Sequence, residues 1–236
     1  MFNKLITIVL LSLSTLVISS QVSATLILQE YGSGVATPTT IFTTNGSYTM
    51  TDFVFVDDTT STNSVDAPVS GTVDFFDKYN SALTMGHSTA DSTDWWVNGE
   101  AFDYDIYTTD QHVVTLVLPE DTFAFSFNVG ADLSGTYDNA WLTAEEFDGS
   151  GISTKQWFNV NSYNTPGFGI YADNSSSDCS TIKSVTIDPL LWGFGNFSIS
   201  RGSCTTVPEP STLILMLTGF MGVMGSMLAR RKRVLK

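Results

Sequence analysis

Bases are scarce in this chain. It holds 10 Lys and Arg against 24 Asp and Glu, and between residues 25 and 205 only Lys78, Lys155, Lys183 and Arg201 stand against 23 carboxylates, a balance of −19. A body so charged repels a phosphate backbone, which excludes nucleic acid as a partner. It suits a dispersed secreted protein, or one that attracts divalent cations. Histidine is nearly missing as well: His87 and His112 are the only two. No Gly-x-Ser-x-Gly elbow, His-Glu-x-x-His pair or phosphate loop accompanies them, so the common hydrolase and nucleotide-binding signatures are absent. Cysteine is limited to Cys179 and Cys204. Two Cys without a nearby His make a poor zinc site. In an exported domain an even pair predicts a disulfide, with two free thiols as the alternative. The loop it closes, about 25 residues, is worth about 3.5 kcal/mol at most in the chain-entropy model.

The body also lacks any sustained helical period. Thr, Ser, Asn, Gly, Asp and aromatic residues dominate, which is strand-and-turn chemistry. Strands are predicted at residues 26–28, 47–56, 71–76, 82–87, 113–118, 122–130, 140–147, 155–160, 168–172, 181–188 and 194–200. Phe102, Tyr104 and Ile106 alternate with Asp103 and Asp105. Asn45-Gly46 signals a turn before the second strand, and residues 57–68 read as a polar loop. The runs at 71–76 and 82–87 flank Asp77 to Ser81 at hairpin spacing, with Val73 and Phe75 inward. The cleanest alternation is Phe123, Phe125, Phe127 and Val129 against Thr122, Ala124, Ser126 and Asn128, which predicts a central strand. Short strands at this spacing predict an all-β, two-sheet β-sandwich over residues 25–205. About 180 residues bury a core of ordinary size.

Both ends of the chain differ from the body. Lys4 precedes an apolar run at residues 5–18, and Val22-Ser23-Ala24 supplies small residues at cleavage offsets. This predicts a signal peptide, residues 1–24, cut after Ala24. At the other end, residues 206–211 hold Pro208, Glu209 and Pro210, which resist helix and strand. Residues 212–229 carry no charge, and at the helical rise 18 residues span about 27 Å, close to a hydrocarbon core. A transmembrane helix is predicted there, closed by a basic tail at 230–236 whose Arg230, Arg231, Lys232 and Arg233 stay cytoplasmic. Gly219, Gly222 and Gly225 recur on one side of that helix. They would let another helix approach closely, or simply reflect the frequency of Gly in membrane helices.

The order Val207-Pro208-Glu209-Pro210-Ser211, apolar span, basic cluster resembles the PEP-CTERM sorting signal of Gram-negative bacteria, over residues 207 to about 233. The resemblance implies an inner-membrane intermediate, recognition and cleavage near the motif by an exosortase-type membrane peptidase, and a product at the cell surface or in the exopolysaccharide matrix. Residues 125–130, and 184–187 with 194–199, are similar to segments of sorted extracellular proteins with jelly-roll domains, which implies a jelly-roll-like sandwich.

Three functional classes follow. The first is a non-catalytic, exported matrix protein that binds exopolysaccharide or acts structurally. For that role the sequence offers Trp95 and Trp96, one of which points outward in a strand, beside Asn98; an exposed indole stacks on a sugar while polar groups bond its hydroxyls. The second is a hydrolase using a carboxylate pair drawn from Glu100, Asp103, Asp105, Glu145 and Glu146. The third is an adhesion module ordered by calcium, with oxygen ligands at Asp57, Asp58, Asp173 and Asp178. Asp91 with Asp94, and Asp103 with Asp105, are further oxygen pairs. No cofactor is required by any motif, and calcium would be structural.

Overall fold

The computed structural model describes residues 25–31, 38–43, 46–54, 61–89, 105–131, 136–147, 151–153, 155–161, 165–173, 180–188 and 192–202. The predicted signal peptide, the Pro-Glu-Pro segment, the span at 212–229 and the basic tail lie outside them. Among the described residues there is no helix, and none long and apolar enough to cross a membrane.

Fifteen strands form among the described residues: β1 Thr25–Tyr31, β2 Thr40–Thr43, β3 Gly46–Thr49, β4 Thr51–Asp52, β5 Ser64–Asp66, β6 Thr72–Asp77, β7 Gly86–Thr89, β8 Asp105–Thr109, β9 Val114–Val117, β10 Thr122–Ala131, β11 Thr136–Glu146, β12 Gln156–Asn161, β13 Gly167–Asp173, β14 Ile182–Asp188 and β15 Trp192–Arg201. A seven-stranded sheet has the order β1-β13-β10-β15-β8-β7, with β4 also on β15; a six-stranded sheet has the order β12-β11-β14-β9-β6-β5; β2 and β3 form a separate hairpin. All the pairings are antiparallel. The fold is therefore an all-β sandwich, and β10 is central in its sheet, as its alternation predicts. From β8 onward the chain changes sheet at every step except β11 to β12.

The two inner faces share one core. Phe125, Phe127, Phe194, Phe197 and Ile199 from the larger sheet meet Val73, Phe75, Leu116, Leu142, Val185 and Ile187 from the smaller. Ring contacts bridge the layers: Phe158–Phe168 at 4.7 Å, Phe75–Phe194 at 5.6 Å and Phe75–Tyr107 at 5.4 Å between centroids. Each fully buried Phe contributes about 1.5–3 kcal/mol of transfer free energy, so this aromatic layer is the main cohesive element.

Several details depart from the sequence reading. The opposite face of β10 is not a polar surface: Thr122, Ala124, Ser126 and Asn128 are all buried. The β2–β3 hairpin, unforeseen at residues 40–43, lays Ile41 against Ala124 and Tyr171 in a second small core. Phe123 leaves the Phe125 face, because the β10–β15 register shifts between Thr122 and Ala124; its ring instead stacks on Tyr48 at 5.7 Å. A second shift on β15 holds Asn196 at φ 54°, which puts both Phe194 and Phe197 inward although they are three apart.

The strand predicted over 47–56 is divided at Met50, which turns into the second core. The polar loop at 57–68 contains β5. The predicted hairpin of 71–76 with 82–87 is only a start. The Asp77 carboxylate accepts the Tyr79 and Ser81 amides at 2.8 and 2.9 Å, tightening the turn, but past the Phe76–Ala82 bridge Met85 plugs the core and β7 joins the other sheet.

Candidate functional site

The outer face of the six-stranded sheet carries the most distinctive surface group. On β12, Phe158 and Val160 are buried, so strand parity turns Trp157 outward, where it is 55% exposed. Across the ladder Trp157 pairs directly with Trp141, and Trp141 pairs in turn with Asp188 on β14. Residues directly opposite in an antiparallel ladder project from the same face. A row of indole, indole and carboxylate thus crosses three strands. The Lys155 ammonium lies 3.6 Å from the Trp141 ring centroid and 5.2 Å from that of Trp157. Both distances fall within cation–π range.

One step along the strands, about 7 Å away, the face becomes polar. Thr143 pairs with Thr186, and Thr186 with Thr115, whose hydroxyls lie 3.0 Å apart. Thr143 donates to the Ser153 carbonyl at 3.2 Å. Beyond them Lys183 bonds Glu145 at 2.8 Å, both half-exposed. The face thus sets two indoles beside hydroxyls and carboxylates, an apolar surface for stacking next to groups for hydrogen bonding.

A second group is buried at the β7–β8 edge. His87 Nε2 lies 2.8 Å from Asp105 Oδ1, and the Tyr107 hydroxyl donates to Asp105 Oδ2 at 3.5 Å. The His87 and Tyr107 rings stack at 5.1 Å. Burial, then the Asp105 charge and the hydrogen bond to it, pushes the Tyr107 phenol up. Asp105 is therefore not the outward carboxylate that its alternation with Ile106 suggests. Its oxygens are engaged from two sides.

Of the hydrolase candidates, Asp105 and Glu145 stand in different sheets, and Glu145 is bonded to Lys183. Glu146 is buried with Gly151 against its carboxyl group. Glu100 and Asp103 lie outside the described residues, as do Asp91, Asp94, Trp95, Trp96 and Asn98. Of the calcium candidates only Asp173 is described. It ends β13, and its charge, after burial, raises the neighbouring Tyr171 phenol. Asp57, Asp58 and Asp178 lie outside, and among the described residues no group of three or more His, Cys, Asp and Glu is placed to hold a metal. Ala24, Cys179, Cys204 and the tail residues Val207, Pro208, Glu209, Pro210, Arg230, Arg231, Lys232 and Arg233 are outside as well. The Trp141–Trp157 pair was not singled out in the sequence. Strand parity around Phe158 and Val160 is the signal that finds it.

Comparison with known proteins bears on the tail. Residues 206–233 match the PEP-CTERM protein-sorting motif. The chain carries that signal, which implies export, a membrane-anchored sorting intermediate and recognition by exosortase, a membrane protein. No curated protein matches the chain. Two solved structures are similar over part of it. One is the family 11 carbohydrate-binding module from Clostridium thermocellum in complex with a β-1,3-1,4-mixed-linked tetrasaccharide, 11% identical, covering 54% of this chain and 95% of that one, with a TM-score of 0.16. The other is the family 11 module of a cellulosomal cellulase of the same organism, 12% identical over 55% of this chain and 95% of that one, with a TM-score of 0.15. At such TM-scores neither likeness carries an argument about fold or ligand.

Proposed function

We propose that this is an exported, non-catalytic protein of the cell surface or exopolysaccharide matrix, sorted by its tail and binding polysaccharide on the outer face of its six-stranded sheet. The body is read as a jelly roll. The strand orders β8-β15-β10-β13 and β9-β14-β11-β12, wound from eight consecutive strands, support that reading.

The observation that carries the binding assignment is the exposed Trp157 paired with Trp141 beside the Thr143–Thr186–Thr115 row. An indole left half in water beside a second indole on the same sheet face supports a contact surface there. A polysaccharide fits it because each pyranose offers an apolar face to a ring and hydroxyls to the neighbouring oxygens. In affinity electrophoresis, native exopolysaccharide should retard the mature body, and Trp157→Ala should restore its mobility. Equal mobility of the two proteins in the polymer gel would remove the assignment.

A further inference from the structure

The folded body has two ends, and the registers place the exit of the tail at one of them. Thr25 pairs with Asp173, Tyr171 with Ala124 and Thr122 with Arg201. Thr25, the first residue after the predicted leader, and Arg201, next to the last described residue before the tail, therefore stand at the same end of one sheet. Three strand spacings separate them, about 14 Å.

Arg201 is fixed there. Its Nε donates to the Glu120 carbonyl at 3.0 Å, and its Nη1 to the Ser70 carbonyl at 2.6 Å and to the Ser70 hydroxyl at 2.7 Å. The guanidinium thus ties the tail exit to the β5–β6 turn of the other sheet and to the β9–β10 connection. Gly71, at φ +79°, lets that turn lie against Pro119, which a side-chain carbon would approach to 3.0 Å. From Gly202 to Pro208 is six Cα steps, at most about 21 Å when fully extended.

The same end exposes apolar side chains. Ser184 pairs with Val117, and Glu146 with Ile182, so the end of β11 reaches this end too. Phe147 follows Glu146 and is 48% exposed, Ile152 is bridged to Glu145 and is 72% exposed, and Val69, in the turn that Arg201 holds, is 64% exposed. Three exposed apolar side chains thus form a rim at the end of the sandwich from which the tail leaves.

We propose that this rim is the surface the body presents to the membrane-embedded peptidase that processes the tail. The inference rests on the sorting reading above. A tether of about 21 Å is shorter than the body itself, so the enzyme that holds the Pro-Glu-Pro segment meets this end of the sandwich and no other. A bare lipid surface fits less well. Glu120 and Asp121 are exposed at the same end, and anionic headgroups repel a body of net charge −19.

The test follows tail cleavage of the full precursor in its native membrane by mass spectrometry. Wild type, Phe147→Asp with Ile152→Asp, and Tyr79→Asp at the opposite end are compared, and the melting temperature of each purified body is measured alongside. The expected result is cleavage slowed tenfold or more in the double variant, unchanged in Tyr79→Asp, with all three bodies melting together. A photo-crosslinking residue at 147 or 152 joins the peptidase, and one at 79 does not. Equal cleavage rates in all three, or adducts with lipid alone, overturn the inference and leave the sorting reading standing. A wild-type tail that is never cut removes both.

Discussion

Trp157 faces Trp141 directly across the β11–β12 ladder, and the Lys155 ammonium lies nearer the Trp141 ring, at 3.6 Å against 5.2 Å. Trp141 is therefore partly roofed, and Trp157 offers the freer ring. Trp157→Ala should weaken polysaccharide binding tenfold or more, about 1.4 kcal/mol. It should change the stability of the body by no more than about 0.5 kcal/mol, because the side chain is mostly in solvent. Titration calorimetry with soluble oligosaccharide, together with a denaturant melt, separates the two effects. A variant that binds like wild type contradicts the assignment.

The His87–Asp105 contact makes the opposite kind of prediction. It is buried, and Asp105→Ala leaves the His87 ring and the Tyr107 hydroxyl without their shared acceptor. The cost is about 1–3 kcal/mol, a fall of about 2–4 °C in melting temperature per kcal/mol for a body of this size. Asp105→Asn keeps an acceptor and should lose less. Polysaccharide binding should not change in either variant, since the pair belongs to the other sheet.

How much of this was legible in the sequence depends on how local each signal is. The tail is a string of adjacent residues, and its order alone identified the sorting motif. The β10 strand was legible because alternation of Phe125, Phe127 and Val129 needs no partner. Its bulge was not: whether Phe123 turns toward Tyr48 is decided by the register with β15, set some seventy residues later. Asn196 hides in the same way, since only its positive φ reveals that Phe194 and Phe197 share a face. The alternation of Asp103 and Asp105 with Ile106 carries no sign of the buried contact, because His87 reaches Asp105 from β7, eighteen residues away. Trp157 lay within reach of parity and was outweighed by the adjacent Trp95 and Trp96.

Alkaline pH supplies a further prediction. Burial, and then the neighbouring Tyr171, pushes the Tyr31 phenol up from 10.0 to about 12; Tyr107 and Tyr171 are raised too, first by burial and then by Asp105 and Asp173 respectively. In the unfolded chain these phenols lose their protons near the ordinary value of about 10. Above that pH the folded state binds more protons than the unfolded one, so stability falls as pH rises. The contribution of these phenols is fully present up to about pH 10 and is lost progressively as pH rises toward 12. Phenolate absorbance and far-ultraviolet circular dichroism, followed together, should show these tyrosines ionising with unfolding. Full ionisation ahead of any loss of structure would contradict the burial argument.

The cysteines give the last prediction. Ser180 directly follows Cys179 and precedes β14, whose first residue Ile182 pairs with Glu146; Gly202 lies two residues before Cys204 and bonds Asp121 at 3.2 Å. Both described neighbours stand at the end of the sandwich from which the tail leaves, and there we propose a bridge between the two cysteines. Such a bridge would shorten the free tether to the four Cα steps from Cys204 to Pro208, about 14 Å, and hold the apolar rim closer still to the processing enzyme. Cys204→Ser should then cost stability, up to about 3.5 kcal/mol, and should also loosen the dependence of cleavage on Phe147 and Ile152, because a longer tether lets the enzyme stand off from the body. Thiol labelling of the denatured, unreduced native protein decides the first point. Two reactive thiols there would mean that the rim acts without a clamp, and the double variant would then respond identically with and without Cys204.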